Sequence, residues 1–492
     1  MTLNQQTQEK EEKKQKNEWE EEKSKPKTVK TKNPATEEVL NEYDILTKEQ
    51  INEAAKKAKE AFIQWSAIGL DKRTGFLYDF ASELRKNKEN LAKTATKEMG
   101  KAIKEAKSEV EKCAWAIEYF ADNGKVFSTD EIINTDARKT FVTFQPIGVI
   151  GSIMPWNFPY WQALRFAAPS LMVGNTIVLK PASATLQCGI EIQNTFAKVG
   201  IPAGVFQTLT GDSSVAENLI DSTDINAVTF TGSVSAGSKV AQRATSKIKK
   251  CVLELGGSDP FIVLDDANLE KAASGAVKGR FINCGQSCIA SKRFIITKKV
   301  ANEFIEKFVQ NTEKLKVGDP LSDDTDIGPL VNDKGLENID SIVQDSVRDG
   351  AEILTGGERT TLKGKGYFYK PTVIKNVSLK MRLAREEVFG PVAPILIADD
   401  ELHAIKLAND TEYGLGASMW TEDLEKAEKY SRSIQSGIVS VNNVVASDPR
   451  IPFGGVKNSG FGRELSRFGM LEFVNIKSVR FYDELSHQHH VE

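Results

Sequence analysis

Histidine is scarce in this chain of 492 residues: there are four, and His487, His489 and His490 stand at its extreme C-terminus. A Ser-His-Asp or Cys-His enzyme needs an imidazole held by the fold, and a fraying tail does not hold one. The fourth, His403, lies in the helical pattern Glu401-Leu-His-Ala-Ile-Lys406 and reads as a helix-surface residue. Histidine-based acyl transfer is thereby excluded, and no Cys/His spacing matches a structural zinc site. Cysteine is also sparse. The five cysteines (113, 188, 251, 284 and 288) are scattered and odd in number, which fits a reducing compartment better than a disulfide framework. The cytoplasm is the expected location. No uninterrupted apolar stretch is long enough to cross a bilayer, and the N-terminus has no apolar signal core. A net charge of −3 gives no reason to expect nucleic acid or an anionic membrane as partner.

What is present is ordinary soluble composition, 40% hydrophobic and 27% charged, in a chain long enough for two or three domains. Residues 1–28 are rich in Glu, Lys and Gln and read as a charged, disordered tail. Folded sequence is expected from about Asn33. Between Thr47 and Lys107 apolar residues recur at three and four (Ile51, Ala54, Ala55, Ala58, Phe62, Trp65), the spacing of amphipathic helices. A further helix is expected from Val110 to Phe120. Alternating β-branched residues in Lys139-Thr-Phe-Val-Thr-Phe-Gln145 predict a hairpin arm. After Pro146 short apolar strands alternate with helices, the pattern of a parallel sheet covered on both faces. A second such series begins near Phe261. The apolar piece Phe473–Phe481 lies outside both series and is free to pair with the arm, within one chain or across subunits.

Several short stretches can carry chemistry. Gly285-Gln-Ser-Cys288 puts a thiol on a turn just before the apolar run Arg293–Ile296, so Cys288 is either a nucleophile or a small buried hydrophobe. Thr231-Gly232-Ser233 follows a strand and opens a helix, a geometry able to receive a pyrophosphate but also a plain connection. Lys180 stands immediately past the strand end expected at Leu179, where open parallel sheets bind ligands. Glu254, followed by two glycines, can swing as a general base or simply cap a loop. Asn157, in the rigid turn Pro155-Trp-Asn-Phe-Pro159, can aim an amide N–H at an oxyanion or bond its own backbone. Glu387 precedes the Gly390-Pro391 turn as a possible ribose ligand or as loop polarity.

Together these motifs, with Pro452-Phe-Gly-Gly-Val-Lys457, stand in the order found in the aldehyde dehydrogenase superfamily, which the chain resembles from about Asn33 to Val479. The resemblance implies an α/β fold with a parallel-sheet, Rossmann-like cofactor domain, an α/β catalytic domain and a small β oligomerisation arm. On that division residues 29–124 and 146–255 form the NAD(P)-binding domain, 256–455 the catalytic domain, and 125–145 with 470–485 the arm. It also implies a homodimer or homotetramer. Cys288 would attack an aldehyde carbon, and Asn157 with the Cys288 N–H would hold the oxyanion. Glu254 would activate the water that hydrolyses the thioester. Trp156, Lys180, Ser183, Gly232, Ser233, Glu387 and Phe389 would bind the cofactor, NADP or NAD.

Ser183 stands three residues after Lys180, where family members strict for NAD often carry glutamate; a serine there admits a 2′-phosphate, so NADP is favoured. The stretch from Pro155 to Gln162, with Arg165, and the stretch Ser447–Phe453 resemble the succinate-semialdehyde dehydrogenase branch. Arg165 and Ser447 would bind the substrate's distal carboxylate. A second arginine that some members place six residues before the nucleophile is replaced by Ile282, which leaves other aliphatic aldehydes and semialdehydes open as substrates. Coenzyme-A-acylating relatives usually lack the base glutamate, so Glu254 favours hydrolysis. A catalytically silent binding protein on the same fold is the reading from another class. Cys284 is either a redox partner of Cys288 or a packing residue.

Overall fold

The computed structural model of the chain describes residues 27–482. Most of the expected tail and the three C-terminal histidines therefore lie outside the described residues. The fold begins earlier than expected: Thr28–Lys32 is already a strand, paired antiparallel with Val39–Asp44. Four helices follow, Lys48–Ala67, Leu70–Lys86, Lys88–Met99 and Ile103–Phe127. The first opens with a capping box in which Thr47 and Gln50 satisfy each other's backbone N–H. The fourth is longer than the Val110–Phe120 stretch predicted, and it takes in residues assigned to the arm. Gly124 does not end it, because there the helix runs so close to Met172 that any Cβ would collide.

The first large sheet has six strands. Five are parallel, in the spatial order Phe206–Thr208, Thr176–Pro181, Val149–Met154, Ala227–Thr231, Lys250–Glu254. In chain order this is 3-2-1-4-5, so the direction of winding reverses between Val149–Met154 and Ala227–Thr231. A crevice for a ligand opens at such a switch point, beyond the strands' carboxyl ends. The sixth strand, Gly460–Phe461, comes from far along the chain and pairs antiparallel with Lys250–Glu254. The helix Pro159–Val173 is buried along its whole length. Proline starts it and Gly174, at φ 107°, ends it in the left-handed region.

The second large sheet has seven strands, centred on Ser291–Thr297, Asp259–Val263 and Gly416–Trp420, and is parallel except at its Glu352–Thr355 edge. Its apolar core is separate from those on the two sides of the first sheet. The arm is a three-stranded antiparallel sheet of Glu131–Ile132, Lys139–Pro146 and Val474–Phe481. The last strand pairs with the hairpin within the same chain, in register from Val474 opposite Pro146 to Phe481 opposite Lys139. The arm's strands start at Glu131, not at 125, because the preceding helix continues to Phe127.

Candidate active site

Cys288 ends a tightly determined elbow. Asn283, Cys284 and Gly285 adopt left-handed backbone angles in succession, with φ of 51°, 56° and 71°. For the two residues with a Cβ this is costly, so the surroundings must impose it. Both carboxylate oxygens of Glu105 accept the Asn283 N–H at 3.1 Å. The Asn283 amide donates to the carbonyls of Asn157 at 2.8 Å and Gln286 at 3.1 Å. Gln286 in turn accepts the Val331 N–H at 2.9 Å. The buried Arg280 donates to the carbonyls of Gly285, Ser291, Val388 and Gly390, which fastens the elbow to the Glu387–Pro391 turn. Behind the nucleophile the fully buried Lys292 donates to the carbonyls of Ser287 at 2.9 Å and Cys288 at 2.6 Å.

The Cys288 side chain is partly exposed and lines a cavity of about 580 Å³. Phe158, Trp161 and Phe453 give that cavity apolar walls, and Arg165, Ser447 and Lys112 add polar groups. Burial pushes the thiol up to about 11, against the opposing pull of Arg165 and then Lys292. Cys284 is free, like Cys288, but it packs into the core of the second sheet whereas Cys288 packs against that of the first. Burial raises the Cys284 thiol even further.

Asn157 is buried and lies against the elbow. Its side-chain amide donates one hydrogen bond, to the Gln286 carbonyl at 3.1 Å, and an amide nitrogen carries two protons. Glu254 ends the Lys250–Glu254 strand but does not line the cavity; its carboxylate turns toward Gly454. Among the described residues neither of its oxygens has a hydrogen-bond partner. Burial raises its pKa well above the usual carboxylate range, and Glu464 adds to the rise while Arg165 and Arg463 oppose it.

Arg165 lines the cavity, yet its charge already has a partner. The guanidinium is paired with the buried Glu464 carboxylate and lies 4.5 Å from the centre of the Phe453 ring. Lys112 was not singled out in the sequence. Its ammonium donates to Ser447 Oγ at 2.7 Å and sits 4.3 Å from the centre of the Trp161 ring.

The expected cofactor residues gather at the switch point. Trp156 follows strand Val149–Met154, and Gly232 and Ser233 follow Ala227–Thr231. Ser233 caps the helix Val234–Thr245 by accepting the Ala236 N–H at 3.3 Å, which leaves other first-turn N–H groups free for an anion. Lys180 lies inside its strand, Thr176–Pro181, not beyond its end as the sequence suggested. Its buried ammonium donates to the Pro181 carbonyl at 2.8 Å, and burial lowers its pKa to about 8. Ser183 donates to the Gly211 carbonyl at 3.1 Å. The Trp156 and Phe389 rings meet edge to face at 5.7 Å. Glu387 stands 3.5 Å from Lys292 and accepts the Gly257 N–H at 3.1 Å. A Cβ on Gly256 would overlap its carboxylate, so glycine there leaves the Glu387 side chain in its present position. A buried cation, open helix N–H groups and an aromatic pair at the winding reversal suit a dinucleotide.

The model of the aldehyde dehydrogenase family matches residues 19–479. The chain belongs to this family. A protein of Synechocystis sp. named "Probable succinate-semialdehyde dehydrogenase", with NADP(+) in that name, is 45% identical over 92% of this chain and 99% of its own length. The NAD(P)+ succinate semialdehyde dehydrogenase Sad of Escherichia coli is 42% identical over 91% of this chain and 96% of its own. Among solved structures, the succinic semialdehyde dehydrogenase of Streptococcus pyogenes with NADP+ superposes with a TM-score of 0.90 at 33% identity. That match covers 92% of this chain and all of the other. These neighbours share the expected α/β aldehyde dehydrogenase architecture.

Lys112, Lys292, Glu105 and Glu464 escaped the sequence analysis. Lys292 alone left a local signal, a charge inside the apolar strand Ser291–Thr297.

Proposed function

We propose that the protein oxidises succinate semialdehyde to succinate with NADP or NAD, NADP being favoured. One observation carries this reading: the cavity that holds the Cys288 thiol is also lined by the cations Lys112 and Arg165 and by the Ser447 hydroxyl. An alkanal has no use for such groups, whereas a semialdehyde's distal carboxylate needs them. The names of the relatives point the same way.

The chemistry follows from where the groups stand. Cys288 must lose its proton before attack, because burial holds the thiol protonated at neutral pH. Glu254, raised by burial and unpartnered, is a stronger base than an exposed carboxylate once ionised, and the glycines after it permit rotation toward the cavity. The thiolate adds to the aldehyde carbon. The second amide proton of Asn157 and the Cys288 N–H serve the resulting oxyanion. Trp156, Lys180, Ser183, Gly232, Ser233, Glu387 and Phe389 would hold the cofactor, which when bound would supply the acceptor for the hydride of that carbon. After passing the thiol's proton to solvent, Glu254 takes a proton from the water that attacks the Cys288 thioester; the Cys288 thiolate is expelled and succinate leaves. Arg165 and Ser447 border the substrate's distal end.

A homodimer or homotetramer is in keeping with the arm, whose Ile132, Ile476 and Phe481 are exposed. A cytoplasmic location is in keeping with five free cysteines. Among the described residues no helix is long and apolar enough to cross a membrane.

The test is a panel of succinate semialdehyde and unsubstituted alkanals with each cofactor and no coenzyme A. The reading expects NADPH formation with the highest kcat/KM for succinate semialdehyde. A higher value for butanal overturns the substrate, and no turnover with any aldehyde favours a silent binding protein.

A further inference from the structure

We infer that Lys112, on the helix Ile103–Phe127, is the cation that receives the substrate's distal carboxylate, acting together with Ser447. This rests on the succinate semialdehyde reading above.

Among the cations lining the cavity, most are committed or peripheral. Arg165 neutralises Glu464, and both side chains are buried to within a few per cent. Lys104 pairs with Asp326 at 2.5 Å. Lys278 is exposed on the outer wall. Ile282 puts an apolar side chain on the same cavity where some family members supply an arginine.

Lys112 differs from all of these. Among the described residues no carboxylate lies within 4 Å of its ammonium, so it has no ion-pair partner there. The two anions that act on it from a distance are engaged elsewhere. Glu109 is paired with the buried Lys101 and accepts the N–H groups of Tyr160 and Trp161. Asp448 is paired with Arg450 at 2.5 Å. The ammonium stands over the Trp161 face, which attracts it without neutralising it.

Among the described residues its one acceptor is Ser447 Oγ. A lysine ammonium has three donors and a hydroxyl keeps its own proton while accepting. The pair therefore presents two N–H groups and one O–H to a carboxylate's two oxygens. Arg165 nearby adds positive charge without a direct contact. The recognised ligand is thus an aldehyde carrying a carboxylate at its far end.

The test compares kcat/KM for succinate semialdehyde with kcat/KM for butanal, the uncharged four-carbon analogue, in the parent and in Lys112→Met, Lys112→Gln, Lys112→Arg and Lys278→Met. Thermal melting of each variant checks the fold, and the glutamine form serves if the methionine form melts early. We expect the semialdehyde-to-butanal ratio to fall by about 30-fold or more in Lys112→Met, mostly through KM, with partial rescue in Lys112→Arg. A parent that prefers butanal sinks the substrate reading itself. A parent that prefers the semialdehyde, with its ratio intact in both Lys112→Met and Lys112→Gln, overturns the role of Lys112 alone. A larger loss in Lys278→Met than in Lys112→Met also overturns it.

Discussion

The Arg165 guanidinium is paired with the Glu464 carboxylate, and both side chains are almost wholly shut off from solvent. Removing one partner strands the other charge, at a typical cost of about 3–5 kcal/mol. Arg165→Met is therefore expected to lower stability by about that much in chemical denaturation. Arg165→Met combined with Glu464→Gln should recover part of the loss, since no net buried charge is left. Additive losses would show that the pair is not the source of the effect.

The cofactor-free Cys288 thiol, held up near 11 by burial, should alkylate slowly at neutral pH. Its iodoacetamide reaction, followed by mass spectrometry, is expected to accelerate about tenfold per pH unit between pH 8 and 10. A plateau below pH 8 would mean an already ionised thiol.

Lys292 holds the carbonyls of Ser287 and Cys288 from below and does not line the cavity, so it is a positioning residue. Lys292→Met is expected to cut kcat by about 100-fold, the usual penalty for a nucleophile shifted by an ångström, while KM changes little. It should also slow Cys288 alkylation at pH 9, because one of the two cations that favour the thiolate is gone. Normal alkylation with reduced kcat would point to a purely structural role.

Ser183, whose hydroxyl donates to the Gly211 carbonyl, is the residue proposed above to admit a 2′-phosphate where a glutamate would repel it. Ser183→Glu is expected to lower kcat/KM for NADP by about 10–100-fold relative to NAD. Equal ratios in parent and variant would separate this position from cofactor choice.

Glu98 accepts the N–H groups of Gln187 and Cys188 at 3.0 and 3.1 Å, in the first turn of the helix Leu186–Lys198. Burial nevertheless raises its pKa to about 7 from 4.5. The folded state binds this proton more tightly than the unfolded state. Its contribution to stability is therefore full below about pH 4.5 and is lost as pH rises through 7. In Glu98→Gln that loss should vanish, flattening the fall in Tm between pH 5 and 7.5 by an amount worth about 1–3 kcal/mol. Parallel Tm profiles would contradict the assignment.

The two parallel sheets were legible in the sequence because their strands, such as Val149–Met154 and Asp259–Val263, are buried on both faces and so are continuously apolar. Cys288, Glu254 and Asn157 were legible for another reason: each sits in a short local motif. The pairing of Glu464 with Arg165 and the placement of Lys112 beside Ser447 join residues hundreds of positions apart, and no periodicity encodes such contacts. The reach of the Ile103–Phe127 helix was missed because the expected helix stopped at Phe120 and residues from 125 were assigned to the arm, whereas the helix runs on through Gly124, which packs on Met172. The antiparallel edge Gly460–Phe461 was too short to carry any alternation.

That two-residue edge has a mechanical consequence. It ties Gly460 to Glu254 in the ladder, the Leu255 N–H donates to the Ser459 carbonyl at 3.0 Å, and the Ser459 hydroxyl donates to the Gly256 carbonyl at 2.7 Å. The segment that carries Phe453 is thereby sewn to the strand that carries Glu254. Opening the molecule like a clamshell would tear this seam, so any such hinge motion would first have to break the hydrogen bonds that Gly460 and Ser459 make with residues 254–256.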